Sequence, residues 1–379
     1  MALNQVGLER LNTATTKKIG TNKNIIINGA MQVAQRGTSS TTNNGYYTID
    51  RIKQYYQDLD EAPTFSQSDV ASGTTPYTLG FRKALKVTNG NQTSGAGVSD
   101  QIQIIYWIEA QDIANSGWNY KSSSSFLTFS FWIKSSVAQV FNFYVITSDG
   151  TEKNMPFSTP SLSADTWTKV EVQIKGDSGI DFNNDNGHGL GLYLAPYLGT
   201  NYTDNSLTNG EWATYASATR YKDLATTWFT TNDATVEYTG LQLEVGSVAT
   251  DFEHRSFGQE LALCQRYYYA PFPLNSATTA LCVNGPYTTS QSFGVIQFPT
   301  TMREVPSGEI TMSTNYITLY TPEATSGRGV STLQIQELTK TSSRLYFTGY
   351  ASNFGDAKGG AGYAMVANNS FKLAFTSEL

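Results

Sequence analysis

Six aromatic residues stand out for where they fall in the chain. Trp118 and Tyr120 lie in the loop-like stretch NSGWNYKSSSS, Tyr197 and Tyr202 in APYLGTNYTDN, and Trp212 and Tyr215 in GEWATY. Aromatic rings on a hydroxyl- and amide-rich surface suit carbohydrate binding. Sugar rings present apolar C–H faces that stack on Trp or Tyr, while nearby amides and hydroxyls meet the sugar hydroxyls. The same rings serve equally to fill a core or a subunit seam. The six are therefore carbohydrate-binding candidates, with packing as the competing use.

Other chemistries find less to work with. An acyl-transfer triad needs a nucleophile, a His and a carboxylate. The chain has two His, His188 and His254, and no G-x-S-x-G elbow. His254, in FEHRS, reads as a junction residue bonded to backbone, and His188 lies in a Gly/Asn loop. Glycoside hydrolysis needs a pair of carboxylates. No pair stands out among the 31 Asp and Glu, and the densest run, DLDE at 58–61, reads as the end of a strand. In GDSGIDFNNDNGHG (176–189), Asp177, Asp181, Asn183, Asp185 and Asn186 offer oxygen ligands of the kind Ca²⁺ prefers. The EF-hand spacing and closing Glu are missing, and a solvated loop is the competing reading. Cys264 and Cys282 are too few for a disulfide framework or a structural zinc site. Gly359-Gly360-Ala361-Gly362 lacks the Lys-Ser/Thr of a phosphate loop. No catalytic residue, metal site or cofactor is assigned, and the expectation is a protein that is not an enzyme.

Composition narrows the class further. Of 379 residues, 15% are charged, against about 25% in an average soluble protein. Ser, Thr and Asn number 36, 48 and 26, and aromatics reach 13%. With 39% hydrophobic residues, each domain has enough apolar material for a core. Net charge is −6 without a basic cluster, so nucleic acid is not an expected partner. No apolar run is long enough for a membrane helix, so no membrane insertion is expected. MALNQVGLERLN has no apolar h-region of a signal peptide.

The elements that must position these residues are strands. Alternating or β-rich runs appear at IIINGAMQVAQRG, YYTIDRIKQYYQ (46–57), FRKALKVTN (81–89), QIQIIYWI (101–108), FLTFSFWIKSS (126–136), VFNFYVITS (140–148), TWTKVEVQIKG (166–176), LGLYLAPYLG (190–199) and ATVEYTGLQLEV (234–245). Asn28-Gly29, Asn89-Gly90 and Asp149-Gly150 mark turns between them. SFGQELALCQRYYY (256–269) is the one helical pattern, with Ser256 and Gln259 spaced as a capping box and Cys264 on its apolar side. Eight further strand-like runs follow between 280 and 379. The predicted fold is all-β: an N-terminal arm (1–24), a jelly-roll β-sandwich (25–255), a short linking helix (256–270) and a second, C-terminal β-sandwich (271–379).

Three stretches resemble a known family. NIIINGAMQVAQRGTS…YYTIDR is similar to the opening of bacteriophage tail-fibre-like and other virion fibre proteins. YTGLQLEVGSVATDFEHRSFGQELALCQRYY resembles the close of the same module, and FPTTMREVPSGEIT a segment of the domain that often follows it. The resemblance spans residues 24–270 and extends into 271–379. It implies a carbohydrate-binding-module-like jelly roll, attachment to host cell-surface glycan, a homotrimer, and docking of the arm 1–24 onto other virion proteins. The location implied is the tail or capsid exterior of a virion assembled in the host cytoplasm. A head fibre, capsid decoration or tail-attached component without its own receptor is the alternative, and a short polysaccharide depolymerase the third reading. Asp50 and Arg51 match the motif's D-R, either as a buried structural ion pair or as a functional one.

Overall fold

The computed structural model describes residues 23–272, 279–288, 290–320, 327–349 and 361–379. Of the arm expected at 1–24, only Lys23 and Asn24 fall among them. The chain is all-β, as predicted. Among the described residues no helix is long and apolar enough to cross a membrane.

The first lobe holds β1 (Ser39–Ser40), β2 (Lys53–Gln57), β3 (Thr64–Asp69), β4 (Lys83–Thr88), β5 (Gln101–Glu109), β6 (Phe126–Ser135), β7 (Asn142–Thr147), β8 (Lys153–Ser158), β9 (Thr168–Lys175), β10 (His188–Leu198), β11 (Ala213–Thr214) and β12 (Thr235–Val245). They form two six-stranded sheets, ordered β1-β3-β4-β12-β6-β9 and β11-β8-β7-β10-β5-β2. Period-two alternation decides which side chains meet between them. Leu127, Phe129, Phe131 and Ile133 of β6 are buried in one core with Ile102, Ile104 and Ile108 of β5 and Leu190, Leu192 and Leu194 of β10. The rings of Phe131 and Phe143 meet across the sandwich at 5.3 Å, edge to face.

Two expectations need correcting. Residues 24–38 form no strand pair. Side chains there take the bonds a ladder would have used. Asn28 Nδ2 donates to the carbonyls of Val33 (2.9 Å) and Asp50 (3.0 Å), and its Oδ1 accepts from Val33 N–H (3.0 Å). Asn28 and Met31 adopt φ of 61° and 57°, which breaks an extended run. Gly29 is required beside them, because a Cβ there would stand 2.0 Å from the Leu241 carbonyl oxygen. The run 46–57 becomes a strand only from Lys53. Conversely, β3 (TFSQSD) and β8 (KNMPFS) lack the β-branched alternation that marks their neighbours, and the sequence reading passed over them.

The helix Phe257–Gln265 carries the expected capping box at Ser256 and Gln259, and Cys264 is buried on it. It ends at Gln265, short of the predicted 269, and the next two side chains engage Glu109. Arg266 donates to both Glu109 carboxylate oxygens at 2.7 Å, and Tyr267 Oη adds a bond at 2.5 Å. Burial alone would raise the Glu109 pKa, but those donors hold it below its usual value. The chain then continues as β13 (Tyr268–Tyr269), β14 (Thr279–Thr288), β15 (Gln291–Gln297), β16 (Ser307–Thr311), β17 (Ile317–Tyr320), β18 (Arg328–Val330), β19 (Thr332–Gln336), β20 (Ser342–Thr348), β21 (Gly362–Val366) and β22 (Lys372–Thr376). These pair as a seven-stranded sheet, β18-β17-β21-β14-β15-β20-β19, and a three-stranded sheet, β13-β22-β16. Ile317, Leu319, Leu345, Phe347, Leu373 and Phe375 fill the second core.

The two lobes meet at a polar seam. Arg51 does not pair with Asp50. Its Nη1 reaches Glu378 at 2.5 Å, its Nη2 donates to the Trp107 carbonyl at 2.6 Å, and its guanidinium lies 3.5 Å over the Tyr267 ring. Arg36 stands 3.1 Å from the other Glu378 oxygen. Arg303 donates to the carbonyls of Ser377 (2.6 Å), Glu378 (2.9 Å) and Asn186 (2.7 Å), pinning the chain end to the first lobe. Asp50 accepts instead from Gln35 N–H at 2.8 Å and from its side-chain amide.

Burial pushes the Asp50 carboxyl up to about 6 from 3.8, with Arg36 and the Gln35 bonds opposing. A carboxyl with a raised native pKa binds its proton more tightly when folded. Its contribution to stability is therefore present at low pH and declines as pH rises from about 4 to about 6. Asp50→Asn removes that decline. Denaturant unfolding across this range should show the variant gaining on the parent as pH rises, whereas a constant difference would contradict the assignment.

Candidate functional site

The strand alternation that builds the first core also decorates the opposite face of the second six-stranded sheet. In β5, Ile102, Ile104, Tyr106 and Ile108 point into the core, so Gln101, Gln103, Ile105 and Trp107 line the other face. In β10 and β7 the same rule puts Tyr193 and Tyr144 there. The register aligns Lys53 with Ile105, Ile105 with Tyr193 and Tyr193 with Tyr144, giving a row across four strands. Tyr144 and Tyr193 stack at 4.6 Å with 18° between planes. Trp107 stands edge-on to Tyr193 at 5.8 Å, and Gly191 makes room, since a Cβ there would lie 2.9 Å from the indole.

The segment 199–223 crosses this face and supplies a wall. Tyr221 is buried beneath it and donates its hydroxyl to the Tyr193 carbonyl at 3.1 Å. Asn154 and Asn142 reach up from the sheet to the carbonyls of Arg220 (3.0 Å) and Lys222 (2.9 Å). Arg220 N–H bonds the Tyr202 carbonyl at 2.9 Å. Tyr202, Tyr215, Ser217 and Arg220 thereby face the row of the sheet across a groove of about 460 Å³, within the usual range for small-ligand sites of about 300–1,000 Å³.

The polar side of the groove is an amide chain. Tyr55 Oη donates to Gln57 Oε1 at 2.6 Å, Gln101 Nε2 to the same oxygen at 3.4 Å, and Gln103 Nε2 to Gln101 Oε1 at 2.8 Å. Arg220 Nη1 reaches Gln101 Oε1 at 3.3 Å, and its guanidinium lies 4.9 Å over the Tyr202 ring. Two atoms in this chain have no partner within the protein: Gln103 Oε1 and Arg220 Nε. Gln103 is 2% exposed. Both atoms lie beneath the surface of the groove. Burial raises the phenol pKa of Tyr55, Tyr144 and Tyr193, so all three stay protonated donors at neutral pH.

The six sequence candidates separate. Tyr202 and Tyr215 line the groove. Tyr197 is buried instead, stacked on Phe229 at 4.0 Å. A register shift between Leu194 and Tyr197 reverses the inward–outward order of β10 and turns this ring inward. Trp118 is likewise buried rather than exposed, because its loop folds back and its indole N–H bonds the Ser125 carbonyl at 3.2 Å. Tyr120 packs against Phe182 at 5.0 Å. Trp212 packs on the first core and donates to the Lys175 carbonyl at 2.6 Å. Tyr55, Gln101, Gln103, Tyr144, Tyr193 and Arg220 were missed. For all but Arg220 the signal is the polar and aromatic alternate positions of KQYYQ, QIQIIYWI, VFNFYVITS and LGLYLAPYLG.

The remaining sequence candidates find ordinary partners. Asp177 bonds Lys153 at 2.5 Å, Asp185 accepts from Gly187 N–H at 2.9 Å, and Asn183 bonds Asp149 at 2.8 Å. Among the described residues no three His, Cys, Asp or Glu cluster as a metal site requires. His254 Nε2 bonds the Leu79 carbonyl at 2.8 Å, and His188 packs its edge on Trp107 at 4.5 Å.

No protein-family model and no curated protein matches the sequence. Several solved structures share a likeness. The enzymatically active domain of tailspike protein 4 of bacteriophage CBA120 is 8% identical over 59% of this chain, at a TM-score of 0.31. This chain spans 22% of that one's length. A putative sugar binding protein from Bacteroides thetaiotaomicron is 10% identical over 59% of this chain and 100% of its own, at 0.30. The N-terminal cellulose-binding domain of Cellulomonas fimi β-1,4-glucanase C is 10% identical over 57% of this chain and 99% of its own, at 0.26. Such superpositions add nothing beyond the sandwich that the strands themselves define.

Asn154 and Asn142 hold the part of the wall that carries Arg220. Asn154→Ala removes the bond to the Arg220 carbonyl and should cost about 1–3 kcal/mol. Trypsin should then cleave after Arg220 or Lys222 faster than in the parent, with strand content unchanged by circular dichroism. Equal cleavage rates would show that the wall is held by other contacts.

Proposed function

We propose that this protein is a non-enzymatic carbohydrate-binding component of a virion fibre, using the groove over β2, β5, β10 and β7 to attach to host-surface glycan. One observation carries the binding reading: the partly exposed rings of Tyr55, Tyr193, Tyr202 and Tyr215 line one groove with the side-chain amide of Gln57. Rings take the apolar face of a sugar, and amides and phenols take its hydroxyls. None of the residues lining the groove is Asp or Glu, and hydrolysis of a glycosidic bond there would need a carboxylate pair. This favours retention of the glycan over its cleavage.

The fibre assignment, the homotrimer and the docking of residues 1–24 onto the virion rest on the sequence resemblance. A purely structural virion role has one feature in its favour. Val283, Tyr287, Val295 and Tyr363 are exposed in the second lobe and would suit packing against another subunit.

A glycan array probed with purified protein tests the binding reading. Tyr202→Ala should weaken the retained glycans by about tenfold or more, while Tyr120→Ala, outside the groove, leaves them unchanged. Failure to bind any glycan would leave the structural role standing. Deleting residues 1–22 should abolish incorporation into virions and leave a folded oligomer; a deletion that still incorporates would sink the arm's proposed role.

A further inference from the structure

The groove carries a charge that a neutral sugar does not require. Its lining includes two cations, Lys53 on the edge strand β2 and Arg220 on the crossing wall, and no carboxylate. Among the described residues neither is ion-paired, although the chain as a whole is acidic, with a net charge of −6. Asp58 and Glu152 stand close enough to act on the phenols of Tyr55 and Tyr193, but neither lines the groove.

Arg220 is held in place before any ligand arrives. Its backbone is bonded on both sides, to Tyr202 and by Asn154. Its guanidinium rests over the Tyr202 ring and touches Gln101. Covering two uncompensated cations with a neutral ligand would strip water from them and give no charge in return. A planar anion returns that loss through charge-assisted hydrogen bonds to the guanidinium fork.

Resting on the carbohydrate-binding reading above, we propose that the groove selects an acidic saccharide, with the sugar ring on Tyr193 and Tyr202 and its carboxylate at Arg220, assisted by Lys53. The reading is specific to the charge and leaves the backbone sugar open.

The test uses the intact protein and oligosaccharides of galacturonic, glucuronic, mannuronic and sialic acids. Each is paired with its carboxyl-reduced counterpart, and neutral gluco-, galacto- and manno-oligosaccharides are included. At least one acidic series should bind, with its reduced form about tenfold weaker or worse. Arg220→Gln and Lys53→Gln should lower affinity for the acid several-fold more than affinity for its reduced form, whereas an equal loss for both forms would overturn the charge inference. Affinity for the acid should also fall as salt is raised from about 50 to about 500 mM. If reduced or neutral chains bind as well as acids, the charge inference is overturned and the carbohydrate reading survives. If no chain binds, both fall. Thermal unfolding of each variant separates lost binding from lost folding.

Discussion

The guanidinium of Arg51 stands where four chain segments meet. It belongs to the turn leading into β2, bonds the carbonyl of Trp107 in β5, packs flat on Tyr267 after the helix, and pairs with Glu378 at the chain end. Arg51 is 1% exposed, so its charge cannot be met by water. A buried charge left without its partner costs about 3–5 kcal/mol. The pair therefore works less as a source of net stability than as a condition on geometry. The turn, the β5 strand, the helix exit and the C-terminus must arrive together or the charge is stranded. Because β2 begins two residues after Arg51, the same condition sets the edge strand that carries Lys53 and Tyr55 into the groove.

This explains what the recognisable sequence stretches encode. Asn28 and Gly29 shape the loop against Leu241, Asp50 and Arg51 sit in the seam, Arg266 and Tyr267 hold Glu109, and Arg303 ties down the last residues. Of these, Arg51 and Arg303 join the lobes, and none lines the groove. These stretches thus hold residues that fix architecture, and the groove lies elsewhere. The adjacent D-R of the sequence suggests a buried structural ion pair or a functional one. In space the two side chains diverge, because Asp50 is occupied by Gln35 and Arg51 by a residue at the far end of the sequence. No local spacing encodes a partner 327 positions away.

Where packing obeys a single period, the sequence was legible. FLTFSFWIKSS and QIQIIYWI gave strands in the right places because one face of each meets the core. The capping box was legible for the same reason, since its bonds are local. The groove was only half legible. Tyr202 and Tyr215 stood out because they lie between strands. Tyr55, Tyr144 and Tyr193 were hidden inside strands, on a face that a half-buried sheet usually turns to water. Trp118 and Tyr197 misled for the opposite reason: a loop folding back and a register shift took both inside. Exposure of an aromatic follows from those tertiary events and not from its neighbours in sequence.

The groove as a stacking and amide-bonding site is the claim on which the function turns. A crystal structure of the protein with a glycan retained from the array tests it most directly. A sugar ring lying along Tyr193 and Tyr202, with its hydroxyls within hydrogen-bond reach of Tyr55 and Gln57, is the result the account predicts. A glycan seated instead on the exposed aromatics of the second lobe, around Tyr287 and Tyr363, with the groove empty, would contradict it.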